Sequence, residues 1–506
     1  MKYFFSILLS FLVLHLFAQD VIVSTKFGQL AGTHLPKSNI DEFLGIPFAQ
    51  PPVGDLRWKA PQVMNPWAGV RSAKEFGPSP MQAKPSPFLY WSSEFLIPES
   101  PISEDCLYLN VWAPSNKKAL KPVLVYIYGG GFRSGGSACP IYKGEAMAQK
   151  DLVFVSINYR VGVFGFLAHA ELSAESGVDA SGNYGILDMI AALKWVKENI
   201  SAFGGDPNLV TIAGQSAGSM AVNYLCASPL AKGLFKGAIA ESGASILPNS
   251  TRTNLKKSDA EMMGLAFAKS VGSPNISALR ALSAEKIQAM EGGLTRPYED
   301  GYVLPQSIQE IYQNGKQNDV RLLMGWNADD KVSGQVLPAS EFQQNMEKKY
   351  GINAGKVFKY YPFEKVASQF NLSRDELFGI QVHSWAKAQN LRGKSPVYVY
   401  QFNRALPAFD SKTAFGAFHT GEVPYAYANL QAVHRPWEQV DYLLSEKMSN
   451  YWANFVKTGD PNGKDLVLWP AFTNQKQEVQ LLDQKIESKK LPNREALEML
   501  EDLLQK

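Results

Sequence analysis

The sequence predicts an α/β fold in which a mostly parallel β-sheet is covered on both faces by helices. Two apolar runs rich in β-branched residues, VLVYIYGGGF and LVFVSINYRVGVFGFL, show little alternation of polar and apolar positions. Such runs are typical of strands that are buried on both faces. Strand-like and helix-like segments then alternate along the chain. Because parallel neighbours are joined by right-handed helical crossovers, this alternation predicts a parallel sheet.

The individual elements follow from local patterns along the chain. VIVSTKFGQLAGT alternates like a hairpin, and GILDMIAALKWVKENISAFG has helical periodicity that Gly204 and Gly205 end. NLVTIAG and FKGAIAESG are predicted as buried strands, and SMAVNYLCASP as a helix that Pro229 ends. Residues from about 256 to 401 are predicted as helices and loops laid over the sheet. The last stretch, NREALEMLEDLLQK, predicts an amphipathic surface helix.

Composition narrows the class of protein. The chain has 506 residues, of which 45% are hydrophobic and 19% are charged, and soluble domains usually carry about 25% charged residues. A large core in one unit is therefore expected. The net charge of +3 comes from well-mixed signs, so neither nucleic acid nor another polyanion is an expected partner. The three cysteines suit no metal site and are expected as buried apolar residues. Composition leaves the oligomeric state open.

The first 18 residues have the pattern of a secretory signal peptide. Lys2 precedes an apolar run from Tyr3 to Phe17, and Ala18 closes a possible cleavage site. An uncleaved N-terminal anchor is the alternative. No other run reaches the roughly 20 apolar residues that a membrane span needs. Export to the periplasm or the medium is therefore expected, with no membrane span left after cleavage.

The candidate nucleophile lies in VTIAGQSAGSMAV, where a buried strand changes into a helix. The Gly-x-Ser-x-Gly corner there places Ser216 on a sharp turn, and the flanking Gly214 and Gly218 let strand and helix approach closely. An isolated match is usually an ordinary turn serine. The position between a strand and a helix favours a nucleophile, which needs a neighbouring base to take its proton.

A second loop is suited to stabilise the oxyanion of acyl transfer. Glycines after a strand expose backbone N–H groups to a substrate, and YIYGGGFRSG supplies such a run. The amides of Gly130 and Gly131 are predicted donors, with Ala217 at the helix N-terminus as the third. A plain glycine turn is the alternative.

Several long segments, in the same order, resemble the type-B carboxylesterase family, the α/β-hydrolases that include carboxylesterases and cholinesterases. They are FLGIPFAQPPVGDLRW, SEDCLYLNVW, YIYGGGF, NYRVGVFGFL, the segment around GQSAG, and SPLAKGLFKGAIAESGA. The resemblance covers nearly all of the chain after the signal. It implies one α/β-hydrolase domain over residues 19–506, with a helical lid within about 256–401. It also implies a structural ion pair between Arg57 and Glu104.

The same resemblance implies a triad in the order serine, acid, histidine. GAFHTGEVPYAY matches the family's histidine loop and makes His419 the base. The family usually shows an Asp-Glu pair in which the Glu orients the imidazole. Here Asp330 takes the place of that Glu, one methylene shorter, and Asp329 is the alternative acid.

The implied function is that of a serine carboxylesterase, which acts on neutral carboxylic esters through an acyl-enzyme and needs no metal or organic cofactor. Its activity should fall at acid pH, because a neutral imidazole must accept the serine proton. The nearest aromatic before SEDC is Phe95, unless an insertion brings in Trp91, and Gln215 replaces the glutamate of cholinesterases. Both differences argue against choline esters. The alternatives are a non-catalytic adhesion module, a lipase, an amidase, or an esterase of acetyl or feruloyl groups on polysaccharides.

Overall fold

The computed structural model describes residues 20–248, 255–290, 292–332 and 334–505. The predicted signal peptide, residues 1–18, lies outside the described residues. Within them, no helix combines the length and the apolar character that crossing a membrane would require.

A central sheet of thirteen strands runs through the described part of the chain, in the order β1-β2-β3-β7-β9-β8-β10-β11-β12-β13-β14-β15, with β4 paired to β2; β5 and β6 form a separate pair. The strands are β1 (Asp20–Ser24), β2 (Gln29–Leu35), β3 (Ile40–Pro47), β4 (Val70–Ser72), β5 (Ser79–Pro80), β6 (Ile102–Ser103), β7 (Tyr108–Pro114), β8 (Lys121–Ile127), β9 (Val153–Ile157), β10 (Gly205–Gln215), β11 (Gly237–Glu241), β12 (Arg321–Asn327), β13 (Val397–Phe402), β14 (Glu478–Leu482) and β15 (Glu487–Lys490).

Helices flank this sheet in the described residues. They are α1 (Glu145–Ala148), α2 (Gly162–Phe166), α3 (Ala170–Glu175), α4 (Tyr184–Asn199), α5 (Ala217–Ala227), α6 (Lys257–Ser270), α7 (Ile276–Arg280), α8 (Ala284–Gln288), α9 (Ile308–Gln313), α10 (Ala339–Tyr350), α11 (Ala354–Tyr360), α12 (Val366–Arg374), α13 (Ile380–Arg392), α14 (Val423–Ala426), α15 (Gln439–Thr458) and α16 (Arg494–Leu504). A π-helical turn, Asp375–Gly379, joins α12 to α13.

The mostly parallel sheet that the sequence predicts is confirmed. Strand β8 pairs in parallel with β9 and β10, and parallel pairing continues from β10 through β14. Antiparallel strands lie only at the two ends of this block, where β1 and β2 form the predicted hairpin and β15 closes the other edge. The parallel strands are almost wholly buried on both faces, which explains their continuous apolar sequences.

The segment from 256 to 401 contributes more than a cover of helices. It includes β12, which pairs in parallel with both β11 and β13 inside the sheet. The sequence of β12, RLLMGWN, is a short apolar run, and such a run does not by itself distinguish a strand from part of a buried helix. This strand matters for function because the acidic pair follows directly after it.

The C-terminal helix α16 is amphipathic, as the sequence predicts. Ala496, Leu497 and Leu500 are buried, while Glu495 and Asp502 on the same helix are exposed. Glu501 on the same helix accepts hydrogen bonds from Ser384 and Lys387 of α13, at 2.8 and 2.5 Å. The helix therefore fastens the end of the chain to the body of the protein.

Candidate active site

The predicted nucleophile stands on a strained turn between β10 and α5. Ser216 has φ 58° and ψ −122°, a conformation that L residues rarely adopt outside functional turns. Its backbone N–H donates to the Glu241 carbonyl at 2.8 Å, which ties the turn to the neighbouring strand β11. The strain is therefore supported by the surrounding sheet.

The two glycines of the corner are needed for space. A Cβ on Gly218 would lie 2.1 Å from the Ile127 carbonyl oxygen, and one on Gly214 would lie 2.5 Å from the backbone of Gly218. Helix α5 thus packs directly against the end of β8 and against β10, the strand that precedes the helix. This contact is the physical reason for glycine at both positions.

The structure brings the predicted base and acid together. His419 Nδ1 lies 2.5 Å from Asp330 Oδ1, and both side chains are buried, with exposed fractions of 2% and 0%. The second oxygen of Asp330 accepts the backbone N–H of Asn327 at 3.0 Å. A carboxylate that is fixed at both oxygens orients the imidazole with Nδ1 as the donor.

The alternative acid, Asp329, has another position. Its side chain is exposed, and its Oδ2 accepts the backbone N–H of Ala417 at 2.8 Å. Backbone pairing between Asp329 and Phe418 strengthens the same connection. Asp329 therefore holds the loop that carries His419, while Asp330 contacts the imidazole itself.

The contact at the other imidazole nitrogen is one that the sequence did not reveal. The Gln215 side-chain amide nitrogen lies 3.2 Å from His419 Nε2. Among the described residues, no hydrogen bond joins the Ser216 hydroxyl to His419, although both line one cavity. Hydrogen bonds of catalytic groups are often long without substrate and tighten when it binds. In the sequence, Gln215 was notable only because it replaces the negatively charged glutamate of cholinesterases.

Further buried side chains contact the His419 imidazole or the loop that carries it. The Phe378 ring stacks on the His419 imidazole at 4.8 Å between centroids. Asn327 donates to the Phe418 carbonyl at 2.7 Å and to Glu422 at 2.5 Å. Burial, and then the nearby Glu241 and Asp330, raise the pKa of the Glu422 carboxyl well above its usual range. Burial therefore favours the protonated form of Glu422.

The backbone amides that the sequence predicts as oxyanion donors are available. Gly130 and Gly131 have φ values of 112° and 64°, which suit glycine, and no neighbouring atom lies within 4 Å of a Cβ built on Gly131. Within the described part of the chain, the N–H groups of Gly130, Gly131 and Ala217 donate to no acceptor. Three free donors thus lie around Ser216, where a developing oxyanion would need them.

Ser216, Gln215, His419, Gly130 and Gly131 line one cavity of about 930 Å³. Its walls include Phe88, Trp91 and Phe95 from the loop before β6, together with Phe378. The indole N–H of Trp91 donates to Thr420 Oγ1 at 3.2 Å, and the Trp91 ring stands edge-on to the imidazole, 6.0 Å away. The loop therefore does bring Trp91 into the site.

The remaining predicted residues lie outside the reacting centre. Arg57 contacts Glu104 through two hydrogen bonds of 2.6 and 2.5 Å, and its Nη1 donates to the carbonyls of Arg280 and Leu282. The pair therefore connects the loop between β3 and β4 and the segment after β6 to the C-terminal end of helix α7. Cys106, Cys139 and Cys226 are all free and buried. No cluster of three or more potential metal-ligating side chains occurs among residues 20–248, 255–290, 292–332 and 334–505.

A mainly parallel sheet flanked by helices, with a strained serine directly after a central strand, defines an α/β-hydrolase. The chain belongs to the carboxylesterase family, whose model matches residues 19–369 and 332–500. The para-nitrobenzyl esterase of Bacillus subtilis (strain 168) is 35% identical over 95% of this chain and 98% of that protein. The fumonisin B1 esterase of Sphingopyxis macrogoltabida is 36% identical over 88% of this chain and 84% of that protein.

Structural comparison agrees with the family assignment. A solved PNB esterase superposes with a TM-score of 0.82 and 33% sequence identity, and the match covers 95% of this chain and 99% of that one. The cholinesterase of Mus musculus is 31% identical over 92% of this chain and 83% of that protein. The protein is therefore a carboxylic ester hydrolase, as the sequence motifs implied.

Proposed function

We propose that the protein is a serine carboxylesterase that hydrolyses neutral carboxylic esters through an acyl-enzyme on Ser216. The observation that carries the proposal is the 2.5 Å contact between Asp330 and Nδ1 of His419, a histidine that lines the same cavity as the strained Ser216. That contact leaves Nε2 as the nitrogen that faces the reacting centre.

The reaction follows from these positions. The Ser216 hydroxyl attacks the ester carbonyl as His419 Nε2 takes its proton, which requires the Gln215 contact to yield to the serine. Asp330 stabilises the imidazolium that forms. The backbone N–H groups of Gly130, Gly131 and Ala217 bind the oxyanion. Loss of one such donor typically raises the activation barrier by about 3–4 kcal/mol. The imidazolium then protonates the leaving alcohol, and water repeats the sequence to release the acid.

A labelling experiment tests the nucleophile. A fluorophosphonate probe is expected to add to Ser216, as identified by peptide mass spectrometry, and Ser216→Ala should abolish both labelling and hydrolysis of 4-nitrophenyl butyrate. Ser277→Ala is the matched control, because Ser277 is exposed on helix α7 away from the cavity. A non-catalytic adhesion module would give no adduct and no turnover.

Chain-length profiling separates the remaining activities. 4-Nitrophenyl esters from acetate to palmitate should show a preference for short or medium acyl chains, since Trp91, Phe95 and Phe378 form part of the wall of the cavity of about 930 Å³. A preference for palmitate would indicate a lipase. Activity confined to acetylated or feruloylated polysaccharide would indicate the polysaccharide esterase, and activity confined to anilides would indicate the amidase.

Choline esters are expected to be poor substrates. Trp91 does lie in the cavity, where an aromatic face could attract a quaternary ammonium. Gln215, however, supplies no negative charge beside the serine, and the charged residues that line the cavity in the described part of the chain are all cations. Butyrylcholine should therefore be hydrolysed much more slowly than 4-nitrophenyl butyrate.

Export is also part of the proposal, and it depends only on the N-terminal sequence. Lys2, the apolar run and Ala18 have the pattern of a cleaved signal peptide. Expression of the full chain in a bacterial host, followed by N-terminal sequencing of the exported fraction, should show a mature protein that begins at Gln19. Full-length protein retained in the membrane would support the uncleaved anchor.

A further inference from the structure

The charge of the active-site cavity is one-sided. Three of its lining residues are cationic, Lys84, Arg133 and Arg296, and no aspartate or glutamate lines it among the described residues. The protein as a whole has well-balanced charges, with 50 lysines and arginines against 47 acids. A cavity that collects only positive side chains therefore departs from the average of the chain.

Arg133 is held close to the reacting centre. It lies two residues beyond Gly131, and its backbone N–H donates to the Gly130 carbonyl at 3.0 Å. Its side-chain Nε donates to Thr295 Oγ1 at 3.0 Å, and Thr295 lines the same cavity. Among the described residues, Arg133 has no carboxylate partner. The guanidinium is thus oriented by a neutral group and keeps its charge and its remaining donors for a ligand.

Lys84 also lines the cavity, in the loop that supplies Phe88 and Trp91. It is exposed, and within the described residues its side chain makes no ion pair. The nearest acid in that loop, Glu94, accepts the backbone N–H of His434 at 2.9 Å and is not among the residues that line the cavity. The positive charge of Lys84 is therefore not neutralised by its own loop.

The acids behind the imidazole do not cancel these charges. Asp330 is paired with His419, and Glu422 is fully buried beside Asn327. Burial raises the pKa of Glu241 to about 8, although the Trp452 and Tyr427 side chains donate hydrogen bonds to it. Burial thus favours the protonated form of both Glu241 and Glu422, and neither residue lines the cavity.

We propose that the preferred substrates are esters that carry, beyond the ester group itself, a free carboxylate, which Arg133 and Lys84 bind. Guanidinium groups match carboxylates with two parallel hydrogen bonds. A concave site lined by one sign of charge also concentrates the attraction on a bound anion. This inference rests on the proposed esterase function and names its substrate class. Uncharged esters of the same length are substrates of lower kcat/KM.

Matched substrates test the inference. Monoethyl adipate carries a free carboxylate, ethyl adipamate replaces it with an isosteric neutral amide, and ethyl 6-aminohexanoate places a cation there. At low salt and pH 7.5, kcat/KM should be about tenfold or more higher for monoethyl adipate than for ethyl adipamate, mainly through KM, and lowest for the amine. The preference should decrease with added salt, because screening weakens partly exposed ion pairs.

Variants locate the effect. Arg133→Gln and Lys84→Gln should each reduce the preference for monoethyl adipate, and the double variant should abolish it. Lys118→Gln removes the same charge before the N-terminal end of β8, the end far from the serine, and should leave the preference unchanged. Thermal unfolding of each variant verifies that the fold is intact.

The outcomes separate this inference from the function on which it rests. Equal rates for monoethyl adipate and ethyl adipamate, or a preference that survives the double variant, would overturn the inference and leave the esterase intact. Absence of both turnover and a Ser216 adduct would remove the esterase function. In that case calorimetric binding of adipate against adipamide still decides the charge preference, and equal binding would overturn it.

Discussion

Replacing Asp330 by asparagine should separate the role of the triad acid from that of its neighbour. In the wild type, one oxygen of Asp330 faces His419 Nδ1 and the other accepts the Asn327 N–H. Asparagine has only one acceptor oxygen. If it stays on the Asn327 N–H, its amide hydrogens face Nδ1, and the imidazole must then carry its proton on Nε2. That nitrogen could no longer accept the serine proton.

The reverse orientation of the new side chain is also unfavourable. The asparagine NH₂ would then face the backbone N–H of Asn327, and a buried donor without an acceptor costs about 1–3 kcal/mol. In both orientations the negative charge that stabilises the imidazolium is lost. Equivalent substitutions in serine hydrolases lower kcat about 10⁴-fold, which corresponds to about 5.4 kcal/mol of barrier at 1.36 kcal/mol per factor of ten.

The assay is the steady-state hydrolysis of 4-nitrophenyl butyrate, with thermal unfolding of each variant as a check on the fold. Asp329→Asn is the matched control, because it removes a charge one residue away and keeps an acceptor for the Ala417 N–H. We expect it to retain kcat within about tenfold of the wild type. Asp330→Glu should retain more activity than Asp330→Asn, since it keeps the carboxylate. A loss that is larger for Asp329→Asn than for Asp330→Asn would refute the assignment of the acid.

Three further predictions concern the framework. Gly218→Ala places a methyl group 2.1 Å from the Ile127 carbonyl, so urea denaturation should show a loss of about 1–3 kcal/mol; an unchanged midpoint would contradict it. Because burial raises the pKa of Glu241 to about 8 from 4.5, the native state keeps a proton that the unfolded chain loses. Stability should therefore fall as pH rises from about 4.5 to 8, and this part of the pH dependence should vanish in Glu241→Gln. In the wild type, two nitrogens of the buried Arg160 guanidinium lie 2.7 and 2.8 Å from the Asp188 carboxylate. Asp188→Asn removes this charge partner. It should cost about 3–5 kcal/mol in the same denaturation assay.

Those parts of the structure that depend on neighbouring residues were predictable from the sequence. The strand, the strained turn and the helix around Ser216 lie within one continuous segment, so their order can be read directly. The apolar runs of β8 and β9 likewise predicted buried parallel strands. The family motifs supplied His419 and the choice between two acids, and the structure shows only one of them against the imidazole.

Other features depend on side-chain positions that are distant in sequence. Gln215 and His419 are 204 residues apart, and only the folded arrangement shows that the amide contacts Nε2. Trp91 could be placed in the cavity only by the path of its loop, which no local pattern specifies. Similarly, Lys84 and Arg133 belong to separate segments with ordinary compositions, so their shared cavity could not be inferred from charge patterns along the chain.

The electrostatics of the cavity link substrate choice to catalysis. In the proposed reaction negative charge develops on the carbonyl oxygen, and the amides of Gly130, Gly131 and Ala217, which have no acceptor among the described residues, are the proposed donors to that charge. Lys84 and Arg133 in the same cavity lower the energy of the same charge, because no aspartate or glutamate among the described residues lines the cavity to oppose them. A second carboxylate on the substrate would occupy these cations and neutralise their field. The benefit to substrate binding should then appear in KM, while kcat should be no higher for the charged ester than for the uncharged one.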